Sequence, residues 1–209
     1  MASTAQYAMI VNLADCVGCN ACVIACKQEN GLPSGKCNTW VETWDAGEYP
    51  AVKRANLPKL CNHCGSDAPC ITVCPTGATQ FTAEGLVQID HEKCIGCKAC
   101  MTACPFGARW INEDQSIVEK CTFCAGRAVN GLLPACVGIC PSHARRFGII
   151  DGSDEAFNAM ISSEEAATLG DGFHLDCRVH YLGLSDTEVP TASSPMLRGN
   201  VRIEEVEEG

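Results

Sequence analysis

Short apolar segments alternate with cysteine-rich runs along the first 150 residues of the chain. YAMIVNL predicts a strand that leads into the first run, and LVQIDHEKC and SIVEKC lead into later runs in the same way. GATQF, GARWI and HARRFGII follow three of the runs, and each predicts a turn and then a strand. This repetition of strand, cysteine run, helical turn and strand predicts an α+β fold built from repeated units.

The remaining segments carry weaker patterns. Residues 27–60 form an insertion with Trp40, Trp44 and Tyr49, long enough for a small hairpin or a docking surface. Residues 151–209 form a C-terminal extension, which is partly helical over SDEAFNAMISSEEAATL and is expected to become an extended tail from Leu184 onward. No apolar run approaches the ~18 residues of a membrane span, and MASTAQYAMIVNL lacks the basic start of a signal peptide. We therefore expect neither segment in this chain.

Sixteen of the eighteen cysteines fall into four tetrads, three of which end in Cys-Pro. The third, CIGCKACMTACP, has the C-x-x-C-x-x-C-x-x-x-C-P spacing that holds [4Fe-4S] clusters in bacterial ferredoxins. Gly18, Gly96 and Ala99 let such loops curl around a cluster, and the fourth cysteine of a ferredoxin run ligates the neighbouring cluster. The tetrads therefore predict two ferredoxin-like units in residues 1–150, each binding two [4Fe-4S] clusters, with electron transfer as the function.

Other interpretations of the cysteines fit less well. Zinc needs two C-x-x-C pairs across a loop, which the fourth tetrad resembles but the first and third do not. A disulfide scaffold is disfavoured because cysteines set so close together would form strained local bridges. Cys37 and Cys177 lie outside the tetrads; each is either a spare thiol or, as we favour, a small buried apolar residue.

The formal charge of −10 lies entirely in residues 151–209, because residues 1–150 balance twelve basic against twelve acidic residues. Four oxidised clusters would add about −8 to the balanced part. Five lysines lie within two residues of a tetrad cysteine and are candidates to offset that charge: Lys27, Lys59, Lys93, Lys98 and Lys120. No basic stripe indicates nucleic-acid binding.

The tetrads and their surroundings resemble the iron–sulfur electron-transfer subunits of molybdopterin oxidoreductases, typified by the dimethyl sulfoxide reductase beta subunit. The resemblance covers roughly residues 7–150 and rests on DCVGCNACVIACKQEN, LCNHCGSDAPCITVCPTGA, CIGCKACMTACPFGAR and EKCTFCAGRAVNGLLPACVGICPSHAR. The wide gap between Cys124 and Cys136 is typical of that family. The five residues between Cys64 and Cys70 exceed the usual four, which predicts an enlarged surface loop with no ligand lost.

The resemblance implies a nested pairing of tetrads, first with fourth and second with third. Spacing alone allows sequential pairing equally well. The implied ligands are Cys16, Cys19, Cys22 and Cys140 for cluster 1; Cys121, Cys124, Cys136 and Cys26 for cluster 2; Cys61, Cys64, Cys70 and Cys104 for cluster 3; and Cys94, Cys97, Cys100 and Cys74 for cluster 4.

The resemblance also implies that cluster 1 faces a large molybdopterin (Mo or W) catalytic subunit. The other clusters would lead to a membrane anchor subunit or soluble carrier, and export with the partner is slightly favoured over a cytoplasmic location. A free-standing polyferredoxin carrier is the main alternative. Catalysis at a cluster with a missing cysteine is disfavoured, since no tetrad lacks one.

A few residues close to the tetrads have two interpretations. His63 could replace a thiolate, but a hydrogen bond from its ring to a cluster sulfur or to the backbone is favoured, because four cysteines are already present. Trp44, Trp110 and Phe106 are explained by packing as well as by proximity to a cluster. No nucleophile–base pair, carboxylate pair or phosphate loop stands out, so we predict no catalytic residue in this chain.

Overall fold

The structure is a computed structural model that describes residues 6–46 and 48–184. The predicted extended tail therefore lies, apart from Leu184 itself, outside the described residues. In the described part the strands are β1 (Tyr7–Asn12), β2 (Thr39–Ala46), β3 (Lys53–Leu60), β4 (Thr79–Phe81), β5 (Val87–Ile89), β6 (Arg109–Asn112), β7 (Ile117–Lys120), β8 (Arg145–Ile149), β9 (Ala166–Ala167) and β10 (Val179–Leu182). The helices are α1 (Ala21–Asn30), α2 (Pro69–Thr72), α3 (Ala99–Thr102), α4 (Ala125–Ala128), α5 (Ala135–Gly138) and α6 (Glu155–Ile161), and Asp171–Phe173 forms a 3₁₀ turn.

β1 is an inner strand of a four-stranded sheet with the order β8-β1-β10-β9. It pairs antiparallel with β8 and parallel with β10, so Met9 lies between Phe147 and Val179. Because side chains alternate along a strand, Met9 and Val11 enter the main core, and Ala8 and Ile10 pack against α6. The strand predicted from YAMIVNL is confirmed, and its burial on both faces explains its unbroken apolar sequence.

The strands predicted next to the tetrads are also confirmed, and their pairing follows the order of the cysteine runs. β4 follows the second tetrad and pairs with β5, which leads into the third. β6 follows the third tetrad and pairs with β7, which leads into the fourth. β8 follows the fourth tetrad and pairs with β1, which leads into the first. Each pairing therefore brings the end of one cysteine run to the start of another.

The 27–60 segment contains a hairpin of β2 and β3, in which Thr39 lies opposite Leu60. α6 is shorter than the SDEAFNAMISSEEAATL pattern suggests, because the chain turns at Ser162 and then forms β9 against β10. Residues after 150 thus add two strands to the central sheet, a contribution that no local pattern indicates. Among the described residues, no helix is long and apolar enough to cross a membrane.

Candidate metal centres

The first cysteine group lies where β1 and β8 pair. β1 leads into Cys16 and β8 follows Cys140, so this strand pairing joins the first tetrad to the end of the fourth. Cys16, Cys19, Cys22 and Cys140 line one cavity of about 330 Å³. The structure therefore brings together the four cysteines expected at cluster 1, and their ligation stays a prediction.

The fourth group is built in the same way by the β4–β5 hairpin. β4 follows Cys74 and β5 leads into the third tetrad, so the end of one run meets the start of the next. Cys74, Cys94, Cys97 and Cys100 line one cavity of about 310 Å³. These are the four cysteines expected at cluster 4.

The second group is formed inside the protein by Cys26 on α1 and three cysteines of the fourth tetrad. Burial, and then the neighbouring thiols of Cys136 and Cys124, raise the pKa of Cys26 to about 12. Burial also raises the pKa of Cys121 well above its usual range, and Cys26 and Cys136 act in the same direction. The four cysteines expected at cluster 2 therefore lie near one another, and Cys22 and Cys61 of the neighbouring groups act on them in the same direction.

The third group is equally internal. Burial raises the pKa of Cys70 to about 11, with Cys61 and Cys104 acting in the same direction and Arg109 opposing them. Cys64 lies in the same buried apolar cluster as Cys70. A hydrogen bond with Cys177, followed by burial, raises the pKa of Cys64. The four cysteines expected at cluster 3 thus share one region, and a fifth thiol, which the sequence favours as merely apolar, contacts one of them.

The cysteines of the first and fourth groups surround cavities. Among residues 6–46 and 48–184, no three His, Cys, Asp or Glu side chains form a group that could hold a single metal ion. Cysteines that line one cavity have room between them for a multi-atom iron–sulfur cluster.

The loops of the first and third tetrads share a backbone conformation that depends on glycine. Gly18 and Gly96 have φ of 68° and 64°, and Asn20 and Lys98, two residues later, have φ of 60° and 64°. A Cβ atom at Gly96 would overlap the backbone oxygen of Ser116, so only glycine fits there. The two loops are therefore one structural unit used twice, as their sequences predict.

Backbone N–H groups point at several cysteine sulfurs, as expected for cluster-binding loops. The N–H groups of Thr79 and Ala108 each donate to the Sγ atom of the cysteine that ends the preceding run, at 3.4 Å in both cases. Burial acts to raise the pKa of Cys74, but hydrogen bonds from Thr79 and Thr76 outweigh it, and the pKa of Cys74 is lowered. Such donors stabilise thiolate, which is the form that binds metal.

Comparison with known proteins agrees with these groups. Two family models match the chain, a 4Fe-4S dicluster domain over residues 52–150 and a 4Fe-4S binding domain over residues 13–30. A tetrathionate reductase subunit of Salmonella typhimurium is 38% identical over 188 residues, covering 88% of this chain and 75% of the relative. The arsenate respiratory reductase iron–sulfur subunit of Shewanella sp. strain ANA-3 is 33% identical over 225 residues, covering 85% and 96%. The thiosulfate reductase electron transfer subunit of Salmonella typhi is 40% identical over 154 residues, covering 72% and 80%.

The chain belongs to the iron–sulfur electron-transfer subunits of molybdopterin oxidoreductases. The predicted family and the predicted presence of 4Fe-4S domains are thereby confirmed. The relatives are named as subunits of reductases, so they work with other chains.

Three cations that are at most 3% exposed lie among the cysteines of this iron–sulfur subunit: Arg109, Lys120 and Arg145. Arg145 lines the cavity of the first cysteine group. Burial opposes its charge, but Cys136 of the second group and Cys22 of the first raise the pKa of Arg145 above its usual value. Arg145 therefore lies between the first and second groups.

The other two cations occupy the next two junctions. Burial lowers the pKa of Lys120, while Cys61 of the third group and Cys121 of the second act in the opposite direction. Burial opposes the charge of Arg109 too, but thiols of the third and fourth groups, among them Cys61 and Cys100, raise its pKa. Lys120 thus lies between the second and third groups, and Arg109 between the third and fourth.

The surroundings of the buried cations indicate whether the residues of this subunit fit anionic clusters. Within the described residues, neither Lys120 nor Arg145 forms an ion pair with a carboxylate; Lys120 Nζ donates to the Cys121 carbonyl at 2.7 Å, and Arg145 Nη2 donates to Thr39 Oγ1 at 2.9 Å. A buried charge is costly unless an opposite charge compensates it. Asn62 is 1% exposed, and its side-chain amide also finds no hydrogen-bond partner in the described part of the chain. Clusters of about −2 charge with sulfur acceptors would compensate such groups, so the residues fit.

Arg109 and Arg145 were missed in the sequence, although a signal was present. Both follow the pattern Cys-Pro-x-x-Ala, in CPFGAR and CPSHAR, and Thr79 occupies the corresponding position in CPTGAT. Arg109 Nη1 donates to Thr79 Oγ1 at 3.2 Å. The repeat thus marks the residues that approach the cysteine groups from the strand side.

The five lysines singled out in the sequence have different surroundings. Lys120 is the buried cation described above. Lys59 pairs with Glu42 of the β2–β3 hairpin at 3.0 Å, and Lys93 pairs with Asp90 at 2.6 Å. Lys27 donates to two backbone carbonyls after α1, at 2.6 and 3.0 Å, and Lys98 precedes α3. Lys98 also lines the cavity of the fourth cysteine group. Lys98 and Lys120 thus lie beside cysteine groups, and Lys59 and Lys93 pair with carboxylates.

His63 lies at the boundary of the second and third groups. Its Nδ1 accepts a hydrogen bond from the N–H of Val87 at 3.1 Å, and its ring packs on Phe123 with centroids 4.0 Å apart. Burial, and then the charges of Lys120 and Arg109, hold the pKa of His63 well below its usual value. The ring does bond to the backbone, but it accepts the hydrogen bond and does not donate it as expected from the sequence.

The remaining aromatic candidates are explained by packing. Trp110 Nε1 donates to Asn38 Oδ1 at 2.8 Å, and Phe106 meets Phe173 edge to face at 6.0 Å. Trp44 packs on the main core, and the other spare thiol, Cys37, is half-buried.

Proposed function

We propose that the chain binds four [4Fe-4S] clusters and relays single electrons through them between a molybdopterin catalytic subunit and a membrane or soluble redox partner. The clusters supply the one-electron redox chemistry, and the protein fixes their order, spacing and potentials. The ligand sets we propose are the nested ones given above, from Cys16, Cys19, Cys22 and Cys140 at the first cluster to Cys94, Cys97, Cys100 and Cys74 at the fourth.

The placement of the buried cations supports this proposal best. Each of the three cations interacts with thiols of two groups, and the groups that they share support the order first, second, third, fourth. A relay needs each centre to neighbour the next. A cation at each junction would also favour the reduced state of the clusters on both sides of it.

Exposure supports entry and exit at the two ends of that order. Cys19 of the first group and Cys97 of the fourth are exposed, whereas most cysteines of the second and third groups are buried. Val17 and Ile95, at matching positions in the two loops, are 66% and 65% exposed. Exposed apolar residues beside a redox group suit docking of a partner.

The nature of the complex can be tested by anaerobic affinity purification of the full chain from its native cell. A large co-purifying subunit with about one Mo or W, beside about sixteen iron atoms on this chain, is the expected result. Sixteen iron atoms on a chain that purifies without a partner would favour a free polyferredoxin.

The nested ligand sets can be tested by iron counting on paired variants. Cys97→Ser and Cys74→Ser are expected to damage the same cluster, so the double variant loses no more iron than the worse single variant. Cys97→Ser combined with Cys26→Ser is the matched control, because these residues belong to different clusters in either pairing, and the losses should add. Additive losses for Cys97→Ser with Cys74→Ser would contradict nesting and indicate sequential pairing.

A further inference from the structure

A fifth thiol lies against the third cysteine group. Cys177 is buried, and its Sγ lies 3.8 Å from the Sγ of Cys64. The two residues are 113 positions apart in the chain, so no local pattern connects them.

The backbone holds the two segments that carry these thiols against each other. Gly65 N–H donates to the carbonyl of Asp176 at 2.7 Å, and Arg178 N–H donates to the carbonyl of Asn62 at 2.8 Å. The residues on both sides of Cys177 are thus bound to the loop that carries Cys64. These two hydrogen bonds keep the backbones on which the two cysteines lie close together.

A glycine on the other side leaves room for the Cys177 sulfur. A Cβ atom at Gly170 would overlap Cys177 Sγ and would lie 3.0 Å from the carbonyl oxygen of Leu175. Gly170 is itself buried, so a side chain there has nowhere to turn. The local structure therefore holds the thiol against the third group.

The separation of the two sulfurs matches a shared metal position. Two thiolates on one tetrahedral metal, at bond lengths of about 2.3 Å, lie about 3.8 Å apart. That is the distance found between Cys64 Sγ and Cys177 Sγ. Cys177 therefore lies where a sulfur can reach the iron that Cys64 is expected to bind.

We propose that Cys177 is a reserve ligand of the third cluster, which takes over the iron of Cys64 when the Cys64–iron bond is lost. This inference rests on the ligand set proposed above. In the intact protein the thiol of Cys177 donates its hydrogen to Cys64 Sγ. When the bond between iron and Cys64 breaks, that proton passes to Cys64, and the Cys177 thiolate bonds to the same iron. One iron–sulfur bond replaces another, and no atom changes its oxidation state.

The test compares iron content and electron paramagnetic resonance spectra of the full chain, purified anaerobically with its partners. Cys64→Ala is expected to keep the iron content of the unaltered protein, with a shifted spectrum for one cluster. Cys64→Ala with Cys177→Ala is expected to lose at least one iron per chain and to show a [3Fe-4S] signal when oxidised. Cys177→Ala alone is expected to keep all its iron.

Cys70→Ala is the matched control, because Cys70 is 9% exposed against 8% for Cys64, and its thiol neighbours are Cys61 and Cys104. Its loss of iron should be the same with or without Cys177. Suppose that Cys70→Ala loses iron, but Cys64→Ala and its double variant with Cys177→Ala have equal iron content and equal spectra. This result would overturn the reserve role of Cys177 and leave the ligand set of the third cluster standing. Full iron content in Cys70→Ala would contradict the ligand set proposed for the third cluster.

If Cys64→Ala does not accumulate, the nearly isosteric Cys64→Ser carries the same comparison. The proposal then requires that adding Cys177→Ala changes the spectrum of the third cluster, and no change would refute it.

Discussion

Replacing Gly96 by alanine should disturb the fourth cysteine group more than the same change at a comparable glycine. Gly96 lies between Cys94 and Cys97 with φ of 64°, and its Cβ would overlap the backbone oxygen of Ser116. Ser116 is in the β6–β7 turn and has a positive φ of 54° itself. Neither backbone can move aside without altering a tight loop.

The expected cost has two parts. A left-handed backbone destabilises a residue that has a Cβ by about 1–2 kcal/mol. Alanine also restricts the unfolded chain, which offsets about 0.4–1 kcal/mol of that loss of stability. Forcing an extra methyl group into a packed site costs about 1–3 kcal/mol more. Gly96→Ala should therefore destabilise the loop by about 2–4 kcal/mol.

Two other glycines provide a graded control. Gly77 has the same φ of 64° with no atom within 4 Å of the added Cβ, so Gly77→Ala should cost about 1 kcal/mol or less. Gly18 has φ of 68°, and its Cβ would lie 2.5 Å from Asn56 Oδ1, a side-chain atom that can move away. Moving it would break the hydrogen bond from Asn56 to the Cys16 carbonyl, which adds about 1 kcal/mol.

The assay is iron content, with the spectrum of the fourth cluster, followed by anaerobic thermal unfolding. The loss of stability should rank Gly96→Ala above Gly18→Ala and Gly18→Ala above Gly77→Ala. Only Gly96→Ala should weaken the fourth cluster while leaving the others intact. Equal effects of Gly96→Ala and Gly77→Ala would refute the argument from the overlap with Ser116.

Three further changes test separate features. Lys120→Met should make the potentials of the second and third clusters more negative, because it removes a buried positive charge beside them. For an assumed separation of about 8 Å and an effective dielectric of about 20, a unit charge contributes about 2 kcal/mol, or about 90 mV for one electron. A redox titration followed by electron paramagnetic resonance measures this. Tyr181→Phe should lower unfolding stability by about 1–2 kcal/mol, because the Tyr181 hydroxyl donates to the buried carbonyl of Pro58 at 3.0 Å. Asp154→Ala should lower unfolding stability by about 1 kcal/mol, because the Asp154 carboxylate caps α6. Thermal unfolding measures the effects of Tyr181→Phe and Asp154→Ala.

Each of these changes has a matched control. Lys93→Met removes an exposed lysine paired with Asp90 and should leave the potentials unchanged; an equal shift would show that Lys120 acts only through net charge. Tyr7→Phe removes a longer bond of 3.4 Å, so a cost as large as that of Tyr181→Phe would contradict the role of burial. Glu155→Ala leaves the cap of α6 in place, so it should cost less than Asp154→Ala.

The elements beside the tetrads could be predicted because their signals are local. A strand such as β7 shows its pattern in a few residues just before a cysteine run, and the pairing of β6 with β7 needs only a short turn. β10 carries no comparable signal, because VHYL is short and its partner β1 lies about 170 residues away. A parallel pairing over such a distance leaves no trace in either segment alone.

The cysteine groups, like the strands, could be predicted from the sequence only in part. Spacing alone leaves nested and sequential pairing open, and only the meeting of β1 with β8 and of β4 with β5 puts particular cysteines around one cavity. The sequence favours Cys177 as a small apolar residue because nothing near it suggests a thiol partner. Its contact with Cys64 depends on two backbone hydrogen bonds between distant segments.

The repeat after each Cys-Pro supplies two of the three buried cations, and Lys120 comes from the end of β7. Arg109 and Arg145 occupy the position that Thr79 holds after the second tetrad, and each arginine donates to a threonine hydroxyl, Arg109 to Thr79 and Arg145 to Thr39. Cys74, which precedes Thr79, lines the cavity of the fourth group, at one end of the proposed relay. The proposed relay of four centres has three junctions, and Arg145, Lys120 and Arg109 correspond to them in turn. Beyond the fourth group there is no further junction, so a neutral threonine that orients the neighbouring arginine suffices at that position.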